Sequence, residues 1–572
     1  MGTRNRKQTL YQLSSLISVA VMAVWGIVIL WLYFFKANVT DVGSSIPLIS
    51  LTLVFVLVLP FSAFRLRWSY AASVVPFLGL LTLVVVQALE ISHFAFTVRT
   101  VATIVIAIIA VMGLIASVLA FRATSGKGWW KAVTGAAVAV AVIAISFVVL
   151  SGNTDALQRL RATWTQARIE RQLARLDSLD EKIHFLQREG GLPTLAAGIV
   201  VKNELTWDRT FGEQAPVGPI FNIGSVTKSL VATAVMQLVE RGQLDLDADI
   251  SQYLPFELRH PEAPTTPITA RMLLTHRSGL SHYTPVYASF TEGASLLDWL
   301  QDEYGGTIYG DISDIDPQLG FGEFIASYVS PNGAYYSSQA WSSRPGRQYT
   351  YSTPGYDLLG LIVSEIAGMP FEEYLMQHLL VPLGMSDTGL PLDELPDRRA
   401  IPYDCEAGAL FQASVAMPCY DRRIIGAGGL TSTVFDLSRF VIAHLNGGEV
   451  GGTRILTRET VEDMHSLRVV STADIGMTGY GYGFNTMCDE PWEYYGHSYN
   501  FNGSVGHGGK DYGYMSRLFF VPSGTGGYGS IILTNRSDFL DSDMTWFFGI
   551  ILKIENLLLE EARSQFEGSS PS

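Results

Sequence analysis

Before residue 152 the chain carries five long blocks almost devoid of charge: Tyr11–Phe35, Ile46–Phe64, Ser69–Leu89, Val101–Phe121 and Ala132–Leu150. Each is near the roughly 20 residues that cross a bilayer as a helix. One such block would fit a signal peptide, but five with short polar gaps cannot all be processing segments. They account for much of the 48% hydrophobic content of the 572 residues. The gaps set an orientation. Arg4, Arg6, Lys7, Arg65, Arg67, Arg122, Lys127 and Lys131 fall on one side, against Lys36 and Arg99 on the other. The excess of basic residues predicts a cytoplasmic N-terminus and puts everything after Leu150 outside the cytoplasm. Trp129 and Trp130 sit where an interfacial anchor belongs. Glu90 and His93 lie at a span end rather than mid-membrane, so anchoring fits the spans better than ion transport or signalling.

The net charge of −14 is unevenly divided: residues 1–150 carry +8 and the remainder −22. An acidic outer part excludes the basic footprint of a nucleic-acid binder. Cys405 and Cys419 are close enough in sequence to pair in an oxidising compartment, leaving Cys488 unpaired, and three buried thiols fit the chain equally well. The histidines form no pair or cluster at metal-ligand spacing, so no metal and no other cofactor are expected. Asp245, Asp247 and Asp249 alternate without the closing acidic residue of a calcium loop and read as a solvated turn.

Residues 155–189 show apolar steps of three and four and read as one helix, an Arg-rich stalk that merges into the outer domain. Two strand-like runs flank Lys202-Asn203-Glu204, a hairpin signal. A helix over "SVTKSLVATAVMQLVERGQLDL" follows, and a stretch of about 283–340 has weak periodicity and reads as an insertion or long loop. The runs "YMSRLFFVP" and "YGSIILTN" form a second hairpin, and an amphipathic helix covers about 541–563. Strands at both ends of this part with helices between them predict an α/β or α+β domain whose sheet joins the two ends. The expected organisation is a transmembrane region over 1–152, a stalk over 153–190 and an extracytoplasmic domain over 191–565.

Within "FNIGSVTKSL", Ser225 and Lys228 lie three apart, on one face of a helix. A serine hydroxyl becomes a nucleophile when a nearby base takes its proton. The same quartet also fits a capped helix start with a solvated lysine. "PGRQYTYSTPGYDLLG" sets Tyr351 in a Gly/Pro-bounded turn; a phenol beside a lysine can be held as phenolate and serve as general base, then as acid. "GHGGKDYGYMS" opens a strand whose glycines admit close backbone approach and whose N–H groups can build an oxyanion hole.

These blocks, with "ITARMLLTHRSGL", "LVPLGMSDTGL" and "GAGGLTSTVFDLSRF", follow the order of the serine β-lactamase-like family. That family joins class C β-lactamases, D-alanyl-D-alanine carboxypeptidases, D-amino-acid peptidases and related esterases. The resemblance covers about 190–540 and implies a penicillin-binding-protein-like α/β (α+β) domain with an antiparallel sheet flanked by helices. It implies Ser225 as acylated nucleophile, Lys228 as proton acceptor and Tyr351 as the tyrosine of Tyr-x-Asn. His507, Gly508 and Gly509 match the Lys-Thr-Gly or His-x-Gly element, and the N–H groups of Ser225 and Lys510 match the oxyanion donors. Thr353 replaces the asparagine of Tyr-x-Asn, and Gly508 replaces the hydroxyl residue of Lys-Thr-Gly. Both changes argue against an efficient β-lactamase or carboxypeptidase and leave acyl transfer to a small peptide, amide or ester substrate open. A catalytically weak domain that binds or senses wall peptides is the competing expectation. His507 is open to three readings: binding substrate, tuning Tyr351 or satisfying a loop carbonyl. His276 is expected to hold the loop after its helix.

Overall fold

The computed structural model describes residues 167–569, apart from 214, 283–287, 291–318, 390–395, 406–413, 418, 423–425, 471–478, 488–491, 495–496, 500, 502, 525 and 538–544. The five apolar blocks fall outside the described residues. Among those described, no helix is long and apolar enough to cross a membrane.

The helix expected over 155–189 is not continuous. Residues 167–173 are helical, the chain turns, and a new helix α1 runs Leu179–Glu189. Ser178 caps it: its side chain accepts from the Glu181 N–H, and the Glu181 carboxylate accepts from the Ser178 N–H. This reciprocal Ser-x-x-Glu box satisfies two helix-end donors and is readable in "SLDE". The apolar period runs through the break because both pieces pack into one cluster, which contains Ile169, Leu173, Ile183 and Leu186.

The first hairpin is formed as expected. Strand β1 (Leu195–Val201) pairs antiparallel with β2 (Glu204–Phe211), and Lys202 takes φ 55° in the turn between them. β1 is buried along its whole length because helices cover both faces. Leu195, Ala197, Ile199 and Val201 face one apolar cluster, while Ala196 and Val200 face the other. β2 is an edge strand and is mostly exposed.

On one face lie α2 (Thr227–Glu240), α3 (Phe321–Val329), α4 (Thr353–Ala367) and α5 (Val434–Leu445). Helix α3 falls inside the stretch read as a loop. It buries Phe324, Ile325, Tyr328 and Val329, a periodic apolar group too short to stand out beside its Gly- and Tyr-rich flanks. The remaining strands of this main sheet are β3 (Gly479–Tyr480), β4 (Asn485–Thr486), β5 (Val505–Asp511), β6 (Tyr514–Ser523) and β7 (Gly526–Thr534). The sheet order is β3-β4-β5-β6-β7-β1-β2, antiparallel throughout, so the end of the domain pairs with its beginning. The closing helix α6 (Thr545–Gly568) buries Ile550, Ile551, Ile554, Leu558 and Ala562 against the face opposite α2.

A buried ion pair ties α6 to the sheet. Arg517 of β6 donates from Nε and Nη2 to Glu555 Oε2, both at 2.7 Å, and Glu555 is fully buried. Burial pushes the Glu555 carboxyl up, and Arg517 acts against that shift. Removing one partner strands the other charge in the interior. Glu555→Leu is expected to lower unfolding free energy by about 3–5 kcal/mol, and Arg517→Met with Glu555→Leu to recover most of it. Chemical denaturation checks this; a single-variant loss below about 1 kcal/mol would show the pair to be solvated.

Candidate active site

Three segments meet at Ser225. The serine lies in a tight turn, Gly224–Val226, immediately before α2. It does not cap that helix: the N-cap is Val226, with no side-chain cap hydrogen bond. Lys228 is not solvated either, being fully buried. A capped helix start with an exposed lysine is therefore excluded. Asn222 Oδ1 accepts the Gly224 N–H at 2.7 Å and shapes the turn.

Lys228 Nζ donates to Ser225 Oγ at 3.0 Å and to the Ala427 carbonyl at 2.6 Å. Its Nζ lies 5.2 Å from the Tyr351 ring centroid and 5.8 Å from that of Tyr356. Ala427 belongs to the "GAGG" turn, which the sequence reading left without a role. The Cβ of any side chain at Gly426 would stand 2.7 Å from the Tyr356 carbonyl oxygen, so glycine is required for the turn to reach the lysine.

Tyr351 precedes α4, which is capped by the Ser352 side chain on the Gly355 N–H. Its phenol interacts with Ser225. Burial pushes its phenol well above the ordinary value, and the Ser225 interaction offsets this only in part. The resting residue therefore carries its proton, and the resting phenolate expected from the adjacent lysine is not what this environment favours. Thr353 Oγ1 lies 3.0 Å from His282 Nδ1, so it is tied to the loop at 281–282. The ring of His282, absent from the sequence-derived site, lies 5.5 Å from that of Tyr351 at a tilt of 51°.

Strand β5 supplies the third segment. A Cβ at Gly224 would lie 2.9 Å from the Lys510 backbone nitrogen, so the main chain of Lys510 passes directly beside the nucleophile turn. A Cβ at Gly509 would overlap the Ile223 carbonyl oxygen and Ser516 Oγ. Ser516 itself donates to the Ile223 carbonyl at 2.6 Å. The alternation of a strand splits the "HGG" triplet. His507 and Gly509 pair with Leu518 and Ser516 and share the face of α2, whereas Gly508 pairs with Arg517 on the face of α6. A Cβ at Gly508 would meet Arg517 at 3.4 Å, on the face away from Ser225.

His507 is nearly fully buried. Its Nδ1 lies 2.6 Å from the Gly508 carbonyl and therefore donates, so Nε2 accepts from the Tyr480 hydroxyl at 3.0 Å. Both ring nitrogens are thus engaged by the protein. Burial, reinforced by Lys228, lowers its pKa to about 3 and keeps the ring neutral. Tyr480 and Tyr356, neither suggested by the motifs, complete an aromatic wall behind Lys228 and Tyr351. Among the described residues no group of three His, Cys, Asp or Glu side chains is placed to hold a metal. The proposed Cys405–Cys419 pairing falls on a Cys405 side chain outside the described residues.

A serine hydrogen-bonded to a buried lysine beside a tyrosine, on a helical domain closed by an antiparallel sheet, matches one known family. The Beta-lactamase family model covers residues 167–550. The chain belongs to the beta-lactamase family. Members of this family are serine hydrolases. Esterase EstB of Burkholderia gladioli is 33% identical over 197 residues, 34% of this chain and 44% of the esterase, so the match spans less than half of that protein. Penicillin-binding protein 4 of Amycolatopsis lactamdurans is 27% identical over 368 residues, 62% of this chain and 84% of that protein. The octameric penicillin-binding protein homologue from Pyrococcus abyssi superposes with a TM-score of 0.50 at 25% identity, over 66% of this chain and 77% of its own.

The two adjacent glycines of β5 are expected to respond differently to the same methyl group. Gly509→Ala must push the strand from the nucleophile turn and should cost about 1–3 kcal/mol of stability together with most Ser225 reactivity. Gly508→Ala meets an ordinary van der Waals contact and should stay within about 0.5 kcal/mol of wild type. Melting temperatures and serine-probe labelling of the two variants check this, and equal behaviour would contradict the assigned faces.

Proposed function

We propose that the protein is a membrane-anchored serine hydrolase that cleaves a small peptide, amide or ester through an acyl-enzyme on Ser225. The single observation that carries this is the convergence of Lys228 Nζ and Tyr351 on Ser225 in a buried setting. With Lys228 as the neutral amine, Ser225 Oγ attacks the substrate carbonyl and gives its proton to Lys228 Nζ. The oxyanion is held by the N–H groups of Ser225 and Lys510, a role supported by the Lys510 main chain passing beside Gly224. Collapse of the adduct breaks the bond to the leaving group, which takes the Tyr351 phenolic proton. Water then adds to the acyl-enzyme and returns a proton to Tyr351, and the departing Ser225 oxygen recovers its proton from Lys228.

Thr353 and Gly508 direct the substrate preference toward neutral esters and amides. Thr353 is engaged with His282, and position 508 points at Arg517, so neither offers a side chain to a substrate carboxylate beside Ser225. The name of one relative, esterase EstB, agrees with this preference. The apolar blocks and their basic gaps support a bilayer anchor with the hydrolase outside the cytoplasm, where cell-wall peptides are a further substrate class. The same two positions also favour a second reading, a weakly catalytic domain that binds wall peptides.

Labelling with a fluorophosphonate or a penicillin probe separates these readings. Ser225→Ala is expected to abolish the adduct, and Lys228→Ala or Tyr351→Phe to lower ester turnover roughly 10²–10⁴-fold in folded protein. Wild-type turnover equal to that of Ser225→Ala across esters, amides and lactams would leave the binding reading standing.

A further inference from the structure

We propose that His276 is a positioning residue for acyl transfer, one that clamps the backbone on both sides of Tyr351 and packs against its ring. The inference rests on Ser225 and Tyr351 acting as described above.

His276 follows the short helix Ala270–Leu274 and takes φ 55°, a left-handed conformation shared among the described non-glycine residues only with Lys202. That conformation is unfavourable for a residue with a Cβ, so it persists where the surroundings enforce it. Here they do. The His276 carbonyl accepts the Thr350 N–H at 2.8 Å, and its Nδ1 accepts the Ser352 N–H at 3.0 Å. The two bonds straddle Tyr351. A single residue thereby fixes the main chain immediately before and after the phenol that reaches Ser225.

The ring adds a third constraint. Its centroid lies 4.4 Å from that of Tyr351, 4.7 Å from Tyr480 and 5.1 Å from Tyr356. Since Nδ1 accepts, the proton of the neutral ring is on Nε2, which is buried with no hydrogen-bond partner among the described residues. An unsatisfied buried donor is unfavourable and calls for a reason. The reason offered by the geometry is shape: a flat ring with one acceptor is needed to back the tyrosine, and the second nitrogen comes with it. Burial and the nearby Lys228 hold the imidazole uncharged, so it packs against the tyrosine as a neutral ring. Nδ1 is occupied and Nε2 already carries a proton, so His276 is not itself the base. It acts through Tyr351.

The test uses the full-length chain in detergent, with an activated acetate ester as substrate and a fluorophosphonate as acylation probe. Rates are normalised to the folded fraction. His276→Ala removes ring and acceptor, His276→Phe keeps a ring without the acceptor, and His276→Asn keeps an acceptor in a residue tolerant of the left-handed turn. Displacing a catalytic group by about 1 Å can cost 10²-fold. His276→Ala is therefore expected to lose about 10²-fold in kcat and in acylation rate with KM within about threefold, and His276→Asn to regain about tenfold of that loss. Per-folded-site kcat within about threefold of wild type for the Ala and Phe variants would overturn the proposal, however far their melting temperatures fall. If those two do not fold, His276→Asn decides: a kcat about tenfold below wild type supports the clamp, and an unchanged kcat overturns it. Wild-type protein without any Ser225-dependent adduct overturns both this inference and the hydrolase reading. Normal wild-type labelling with equal labelling of His276→Ala overturns this inference alone.

Discussion

The site depends on how closely strand β5 approaches the turn that carries Ser225. Gly509 lies so near the Ile223 carbonyl that no side chain fits between them, and Lys510 runs beside Gly224. Ser516, on the neighbouring strand, donates to that same carbonyl. The helical half of the domain supplies Ser225 and the sheet supplies the backbone beside it. A methyl group between them would drive the two segments apart. Glycine at 224 and 509 is thus a geometric requirement rather than a source of flexibility.

The second constraint is electrostatic. Lys228 is fully buried, and the groups around it include a serine hydroxyl, a backbone carbonyl and tyrosine rings. His276 and His507 lie close by, and burial keeps both uncharged. Lys228 and the aromatic wall behind it are buried, so this is a region of low polarisability. A protonated resting Tyr351 belongs to the same picture, because burial raises its phenol more than the interaction with Ser225 lowers it.

Some of this was legible locally. The hairpin around Lys202, the helix carrying Lys228 and the closing hairpin follow from periodicity and turn residues, because those signals span only a few neighbours. The break at 174–178 was written in Ser178 and Glu181, but a continuous apolar period masked it. Helix α3 was hidden by polar and glycine-rich flanks. The roles of Ala427, His276, Tyr356 and Tyr480 were not legible, since each depends on which distant segments the fold brings together. Nothing in "GAGG" says that a lysine 199 residues away will donate to its carbonyl.

The sequence by itself determined the chemical inventory: a Ser-x-x-Lys quartet at a helix start, a tyrosine in a turn, and a glycine-rich strand, in the order of one family. It also determined the five apolar blocks and the charge asymmetry between them, because composition requires no fold to be read. The tertiary structure decided what each group faces. Strand alternation put His507 and Gly509 toward Ser225 and Gly508 toward Arg517. Burial decided that the histidines near Lys228 are neutral and that Tyr351 holds its proton. Those outcomes depend on distance and desolvation between segments far apart in the chain, and neither quantity exists until the chain has folded.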